Sequence, residues 1–132
     1  MALQILLVTP ERRVLEAEAD EVELPGAQGY LGILPGHAPL LTLLGTGVLT
    51  CRRGGSSSAF AVSSGLAEVS SDRVSVLADS AEAPADIDAA AAESERAKAE
   101  EEMKTAGADT LDAIRTRLEL AQARLAVSRR PS

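Results

Sequence analysis

Two side chains in this sequence carry the chemistry of a catalyst: His37, the only histidine, and Cys51, the only cysteine. His37 lies in GYLGILPGHAPLLTLLGTGVL, residues 29–49, among five glycines and two prolines. An imidazole in such company suits acid–base catalysis, a phosphate-cradling loop or metal ligation. A general base needs a group that orients it and a nucleophile or water to act on. No Asp or Glu occurs between positions 24 and 67, so the nearest carboxylates in sequence are Glu23 and Glu68. The glycines lack the Gly-Lys-Ser/Thr ending and the strand-to-helix setting of a phosphate loop. One His and one Cys give no ligand spacing for a metal, and Cys51, with no His or second Cys beside it, reads as a small strand residue. No catalytic residue, cofactor or metal is expected. His37 reads as a turn residue, because Gly accepts positive φ and Pro fixes φ.

The elements that hold this stretch fall into two kinds. Up to about residue 80 the chain runs in short period-two pieces divided by turn residues: LQILLV, RVLEAEA, DEVELPG, then GVLTCRR, a GGSSS turn, AFAVSS, LAEVSS and RVSVLAD. In the last piece Val74, Val76 and Ala78 share one face, and Arg73, Ser75, Leu77 and Asp79 the other. Many short strands at regular spacing predict a sandwich or flattened barrel. From Pro84 onward Ala, Glu, Lys and Arg dominate, and these are strong helix formers. Gly107 breaks the helical run and Asp109 offers an N-cap oxygen for a second helix. That helix carries Leu111, Ile114, Leu118, Ala121 and Leu125 on one face. The fold class is therefore α+β: an antiparallel β-sandwich over residues 1–84, then an antiparallel helical hairpin over 85–132. The first helix presents Ile87, Ala90, Ser94 and Ala97 as its contact face. Such small residues bury little apolar surface, so the hairpin is expected to dock weakly.

Composition excludes several function classes. Tyr30 and Phe60 are the only aromatic residues, which leaves no platform for stacking bases. The net charge of −7 opposes a phosphate-backbone partner, so no nucleic acid is expected. Charge is also uneven: residues 106–132 hold five basic and three acidic side chains, whereas residues 85–105 hold three and seven. A single cysteine makes no internal disulfide and fits a reducing compartment. MALQILLVTP has no basic n-region or cleavage site, and APLLTLLGTGVLT is too short and broken to span a bilayer. The expectation is a soluble protein that meets a membrane only indirectly, through a partner.

The string G-Y-L-G-I-L-P-G-H-A-P-L-L-T-L-L closely resembles the signature of the epsilon subunit of F-type ATP synthases. The resemblance continues in VSSGLAEVSSDRVSVLAD and in the closing ARLAV. It implies a sandwich of about ten strands followed by two helices, and a non-catalytic subunit of the rotary central stalk. Its implied partners are the gamma subunit, the ring of c subunits, and the catalytic alpha and beta subunits reached by an extended hairpin. The implied location is peripheral, on the cytoplasmic face of the bacterial plasma membrane. In that role the sandwich couples gamma to the c ring during proton-driven synthesis, and the helices inhibit ATP hydrolysis. The partner interface is expected at Tyr30, His37, Ala38, Leu40 and Leu41, and the basic second helix, with Arg115, Arg117, Arg124, Arg129 and Arg130, suits acidic segments of the catalytic subunits. The alternative is a freestanding β-sandwich binding module whose helices act as a tether.

One departure from the family pattern is chemical. Some epsilon subunits bind ATP through Ile-Asp-x-x-Arg-Ala plus arginines of the second helix. Here Ile87 and Asp88 are present, the arginine position is Ala91, and one turn before Arg124 stands Leu120. Asp88 and Arg124 are thus remnants of such a site. Alanine cannot replace a guanidinium's charge-assisted bonds to phosphate, so ATP binding is expected to be weak or absent. A second departure is Tyr30, at a position often acidic in the family. An aromatic with a polar tip suits either a partly buried interface or local packing.

Overall fold

The computed structural model describes residues 2–129. The period-two pieces form eight strands: β1 (Leu3–Val8), β2 (Arg13–Ala19), β3 (Glu21–Gly26), β4 (Gly29–Ile33), β5 (Leu40–Leu44), β6 (Gly47–Arg53), β7 (Ser56–Val69) and β8 (Arg73–Glu82). A single 3-10 turn, Pro84–Asp86, leads to α1 (Ala89–Met103) and α2 (Leu111–Ser128). Eight continuous strands replace the expected ten or so, because β7 and β8 each pass through both layers. One layer runs β2-β1-β8-β7-β5, using residues 73–78 of β8 and 65–69 of β7. The other runs β4-β3-β6-β7-β8, using residues 56–62 of β7 and 81–82 of β8. Counted by layer, the segments number ten.

The crossing point explains why β7 looks like two strands in sequence. Ser64 and Gly65 both hold positive φ, at 43° and 149°. A Cβ on Gly65 would collide with the Leu77 carbonyl oxygen of β8, so only glycine lets the two strands cross so closely. Pairing runs on across the bend, where the Ser63 and Ser80 hydroxyls lie 2.8 Å apart. Ser56–Ser58, part of the expected GGSSS turn, belong to β7 and pair with β6. The turn itself is Gly54–Gly55, held where the Gly54 N–H donates to the Asp20 carboxylate at 2.6 Å.

Between the layers lies an aliphatic core. Leu3, Ile5 and Leu7 of β1 and Val74 and Val76 of β8 face Val22 and Leu24 of β3, Ile33 of β4 and Leu49 of β6, all at most 1% exposed. Phe60 is the one aromatic side chain in it. The strict alternation of β1 and β8 produced this inward face directly.

The hairpin departs from the sequence reading in two respects. The buried residues of α1 are Ala92 and Ala99, while Ala90, Ser94 and Ala97 are exposed. Alanines occur all round this helix, so no apolar stripe marks a face, and the inward side also carries Glu95 and Glu102, which meet Arg117 of α2. At the start of α2, Thr110 rather than Asp109 occupies the N-cap. The Gly107 carbonyl accepts from the Thr110 hydroxyl and from the N–H groups of Thr110 and Leu111, which closes the turn one residue later. The expected stripe of α2 is buried at Ile114, Ala121 and Leu125. Ala123 and Val127, about 200° away around the helix at ~100° per residue, are buried as well.

Candidate functional site

His37 closes a turn. The Leu34 carbonyl accepts from the His37 N–H at 3.1 Å across Pro35 and Gly36, and Gly36 has φ of +89°. Proline then positive-φ glycine at the two central positions is the type II pattern. The Gly36 N–H donates to the Ser71 carbonyl at 2.6 Å, tying this loop to the β7–β8 connection. Because a carbonyl only accepts, His37 Nδ1–H donates to the Ala38 oxygen, 2.7 Å away. No carboxylate orients the ring among the described residues. Cys51 is buried in the sandwich, and that burial pushes its thiol from 9.0 up to about 11, away from the reactive thiolate form.

Function has to be sought on the two outer faces of the sandwich, which differ in chemistry. The outer face of the β6–β7 layer carries Val48, Ala59 and Ala61, and α2 covers it with Ala123 and Val127. The outer face of the other layer carries large side chains, and none of the described residues covers it. Val8, Leu77, Leu66 and Leu43 stand in register across β1, β8, β7 and β5. The neighbouring row is Leu6, Ser75, Glu68 and Leu41. Leu41, Leu43, Leu66 and Leu77 are 63%, 65%, 40% and 51% exposed, and a groove of about 220 Å³ runs between the rows. Contiguous exposed apolar surface of this kind on a small domain marks an interaction site.

The residues expected at a partner interface do not converge. Leu41 lies on the leucine face, and Leu40, its neighbour in β5, packs inward against the core. His37 and Ala38 belong to the loop just described. Tyr30 sits on β4, in the other layer, and its hydroxyl accepts from the Val48 N–H at 3.0 Å. There it lines a cleft shared with Glu119, Gln122 and Ala123 of α2. Leu6, Val8, Leu43, Leu66 and Leu77 complete the leucine face without any sequence motif to mark them. The available signal was Leu77 alone, an apolar residue on the polar face of β8.

The hairpin's charged groups are largely paired. Arg117 donates through Nε to Glu95 at 2.7 Å and through both terminal nitrogens to Glu102, at 3.2 and 2.9 Å. This fork clasps α2 to α1, and it holds the Glu102 carboxyl below its ordinary value. Arg124 Nε donates to Glu82 of β8 at 2.6 Å, and Arg115 pairs with Asp112 on its own helix. Arg129 is exposed at the end of α2, and Arg130 lies outside the described residues. Asp88 caps α1, its carboxylate accepting from the Ala91 N–H at 3.1 Å. Asp86 ties the 3-10 turn to the β1–β2 loop through Arg12, at 3.1 Å. Among the described residues, no cluster of His, Cys, Asp and Glu is arranged to hold a metal ion. No described helix is long and apolar enough to cross a membrane.

Comparison with known proteins gives the family. Residues 2–84, more than half of the chain, match the family model described as ATP synthase, Delta/Epsilon chain, beta-sandwich domain. The chain belongs to this family. It is 50% identical over 66 residues to the ATP synthase epsilon chain of Solibacter usitatus, covering 50% of this chain and 49% of that one. To the ATP synthase epsilon chain of Moorella thermoacetica it is 54% identical over 68 residues, 51% of each chain. The match thus spans about half the length of these curated relatives. The fold likeness reaches further. A chain in the cryo-EM structure of Euglena gracilis mitochondrial ATP synthase (OSCP/F1/c-ring, rotational state 1) aligns with a TM-score of 0.81 at 19% identity. The alignment covers 95% of this chain and 80% of that one. The family match covers the sandwich, and the likeness over the hairpin is one of fold alone.

Proposed function

We propose that this chain is the epsilon subunit of the central stalk of an F-type ATP synthase. Residues 1–84 form its rotor-binding domain and residues 85–132 its regulatory domain. The uncovered leucine face carries this reading: a member of the delta/epsilon family with an unpartnered apolar sheet face has the surface that a permanent subunit contact requires. On this reading Leu41 and its neighbours meet gamma, and the His37–Ala38 turn and Tyr30 border the gamma and c-ring contacts. The subunit has no catalytic residues and no cofactor of its own. It lies at the cytoplasmic face of the bacterial plasma membrane, attached through the c ring.

The helices act as a brake. Docked on the sandwich they permit rotation, and extended toward the alpha and beta subunits they hinder ATP hydrolysis. Their basic second helix suits acidic surfaces there, where charge sets orientation and specificity more than affinity. ATP binds weakly or not at all, because Ala91 offers no guanidinium and Arg124 is already paired with Glu82.

The test is co-expression with gamma and the catalytic subunits. Wild-type chain is expected to co-purify with gamma, whereas Leu43→Asp combined with Leu66→Asp folds but is lost from the complex. Truncation after Asp86 leaves assembly intact and raises ATP hydrolysis. Failure to capture gamma would support the freestanding module instead, and unchanged hydrolysis after truncation would remove the brake. Calorimetric titration with ATP is expected to show no micromolar binding.

A further inference from the structure

A cleft of about 470 Å³ lies where α1 and α2 meet the end of the sandwich. Four carboxylates line it (Glu82, Asp86, Asp88 and Glu95) against two guanidiniums, Arg117 and Arg124. Such a lining repels a polyphosphate, and neither arginine is available to reverse that. Arg117 is held by two carboxylates of α1, and Arg124 by Glu82. The Arg124–Glu82 pair is the only ion pair between the two helices and the strands among the described residues. It is also the only one with both side chains less than a third exposed, at 31% and 26%. The apolar seam beside it consists of Ala59 and Ala61 against Ala123 and Val127, flanked by Val48 and Ile87.

We propose that Arg124 and Glu82 form an ionic latch that holds the hairpin down without nucleotide, and that lifting the hairpin frees the same guanidinium for an acidic partner surface. Docking and partner engagement then compete for one charge. The Arg117 clasp lies wholly within the hairpin, so both helices leave the sandwich together and Arg124 is the cation exposed by the movement. The partner half of this proposal rests on the brake reading above; the latch itself belongs to the isolated chain.

Docking is read from the distance between spin labels at Thr46→Cys and Gln122→Cys, positions that face each other across the seam, in the full chain with Cys51 left buried. Glu82→Gln and Arg124→Gln are each expected to lower the docked-to-undocked ratio about two- to five-fold, the range of partly exposed ion pairs. The wild-type ratio falls as salt rises from about 0.01 M to about 1 M, where screening shortens from roughly 30 Å to 3 Å, and both variants lose that dependence. Combining Glu82→Arg with Arg124→Glu restores docking, which excludes a folding defect as the cause. Lys104→Gln, which removes an exposed ion pair at the far end of α1, leaves the ratio unchanged.

A Glu82→Gln chain as docked as wild type, a charge swap as open as either single variant, or a shift toward docking on adding ATP would each overturn the latch. If the latch responds as expected but gamma is not captured, the stalk assignment fails and the latch stands.

Discussion

The two outer faces of the sandwich present opposite solutions to covering a sheet. One is built from Val48, Ala59 and Ala61 and lets a helix approach closely, with Ala123 and Val127 as its contacts. The other is built from Leu43, Leu66, Leu77 and their neighbours and has no cover among the described residues. Buried area sets the strength of such contacts at about 25 cal/mol per Å² of apolar surface. An alanine seam is therefore a reversible joint, and a leucine face is matched to a lasting one. Inside, the sandwich core of fully buried Leu, Ile and Val sets the stability that both contacts depend on. The molecule separates a rigid body from an arm that can leave it, and it does so by side-chain size.

The largest effect that breaks this contrast comes from the core. Leu24→Ala removes a fully buried side chain and leaves a cavity, so it is expected to cost about 2–5 kcal/mol of global stability. Urea unfolding followed by circular dichroism reads it directly. Val127→Ala acts on the seam instead. It deletes two methyl groups from a completely buried position, about 1.6 kcal/mol of docking at ~0.8 kcal/mol per buried carbon. The expected signature is faster amide hydrogen exchange in α2 with an unchanged unfolding midpoint for the sandwich. A drop in the sandwich midpoint equal to the core variant's would show that the hairpin and sandwich unfold as one unit.

The sequence carried the inward faces of the sandwich because alternation has only two phases, and Leu3, Ile5, Leu7 or Val74, Val76, Ala78 fill one of them completely. It did not carry the crossing of β7. Ser64 and Gly65 look like a turn, and only the close approach of β8 at Leu77 shows that the strand continues. The inward face of α1 was equally hidden: a helix of Ala, Glu, Lys and Arg offers no hydrophobic phase, and Ala92 and Ala99 share the inward side with Glu95 and Glu102, which Arg117 reaches from α2. Arg124 was legible as a basic residue, but its partner Glu82 stands 42 positions away on a strand. The leucine face was visible only in part, through Leu41 and an out-of-pattern Leu77. A row that spans four strands exists in the pairing register and in no single segment.

The smallest effect sharpens the contrast within the arm itself. Glu102 titrates below its ordinary 4.5, first because Arg117 hydrogen-bonds to its charged form. With a folded value under the unfolded one, the stabilising contribution is complete above about 4.5 and is lost as pH falls through the folded value. Acidification below 4.5 is therefore expected to loosen α1 from α2, seen as falling helicity in a pH titration of the circular dichroism signal. Glu93, held low chiefly by its hydrogen bond from Arg96, contributes a loss of the same sign within α1. Arg117→Gln separates the two. It removes the Glu102 component, so the helicity of the variant starts lower and falls less over the same interval. Identical titration curves for the variant and wild type would mean that the clasp carries none of the hairpin's integrity. The two helices would then be held together by Ala92, Ala99, Ile114, Ala121 and Leu125 alone.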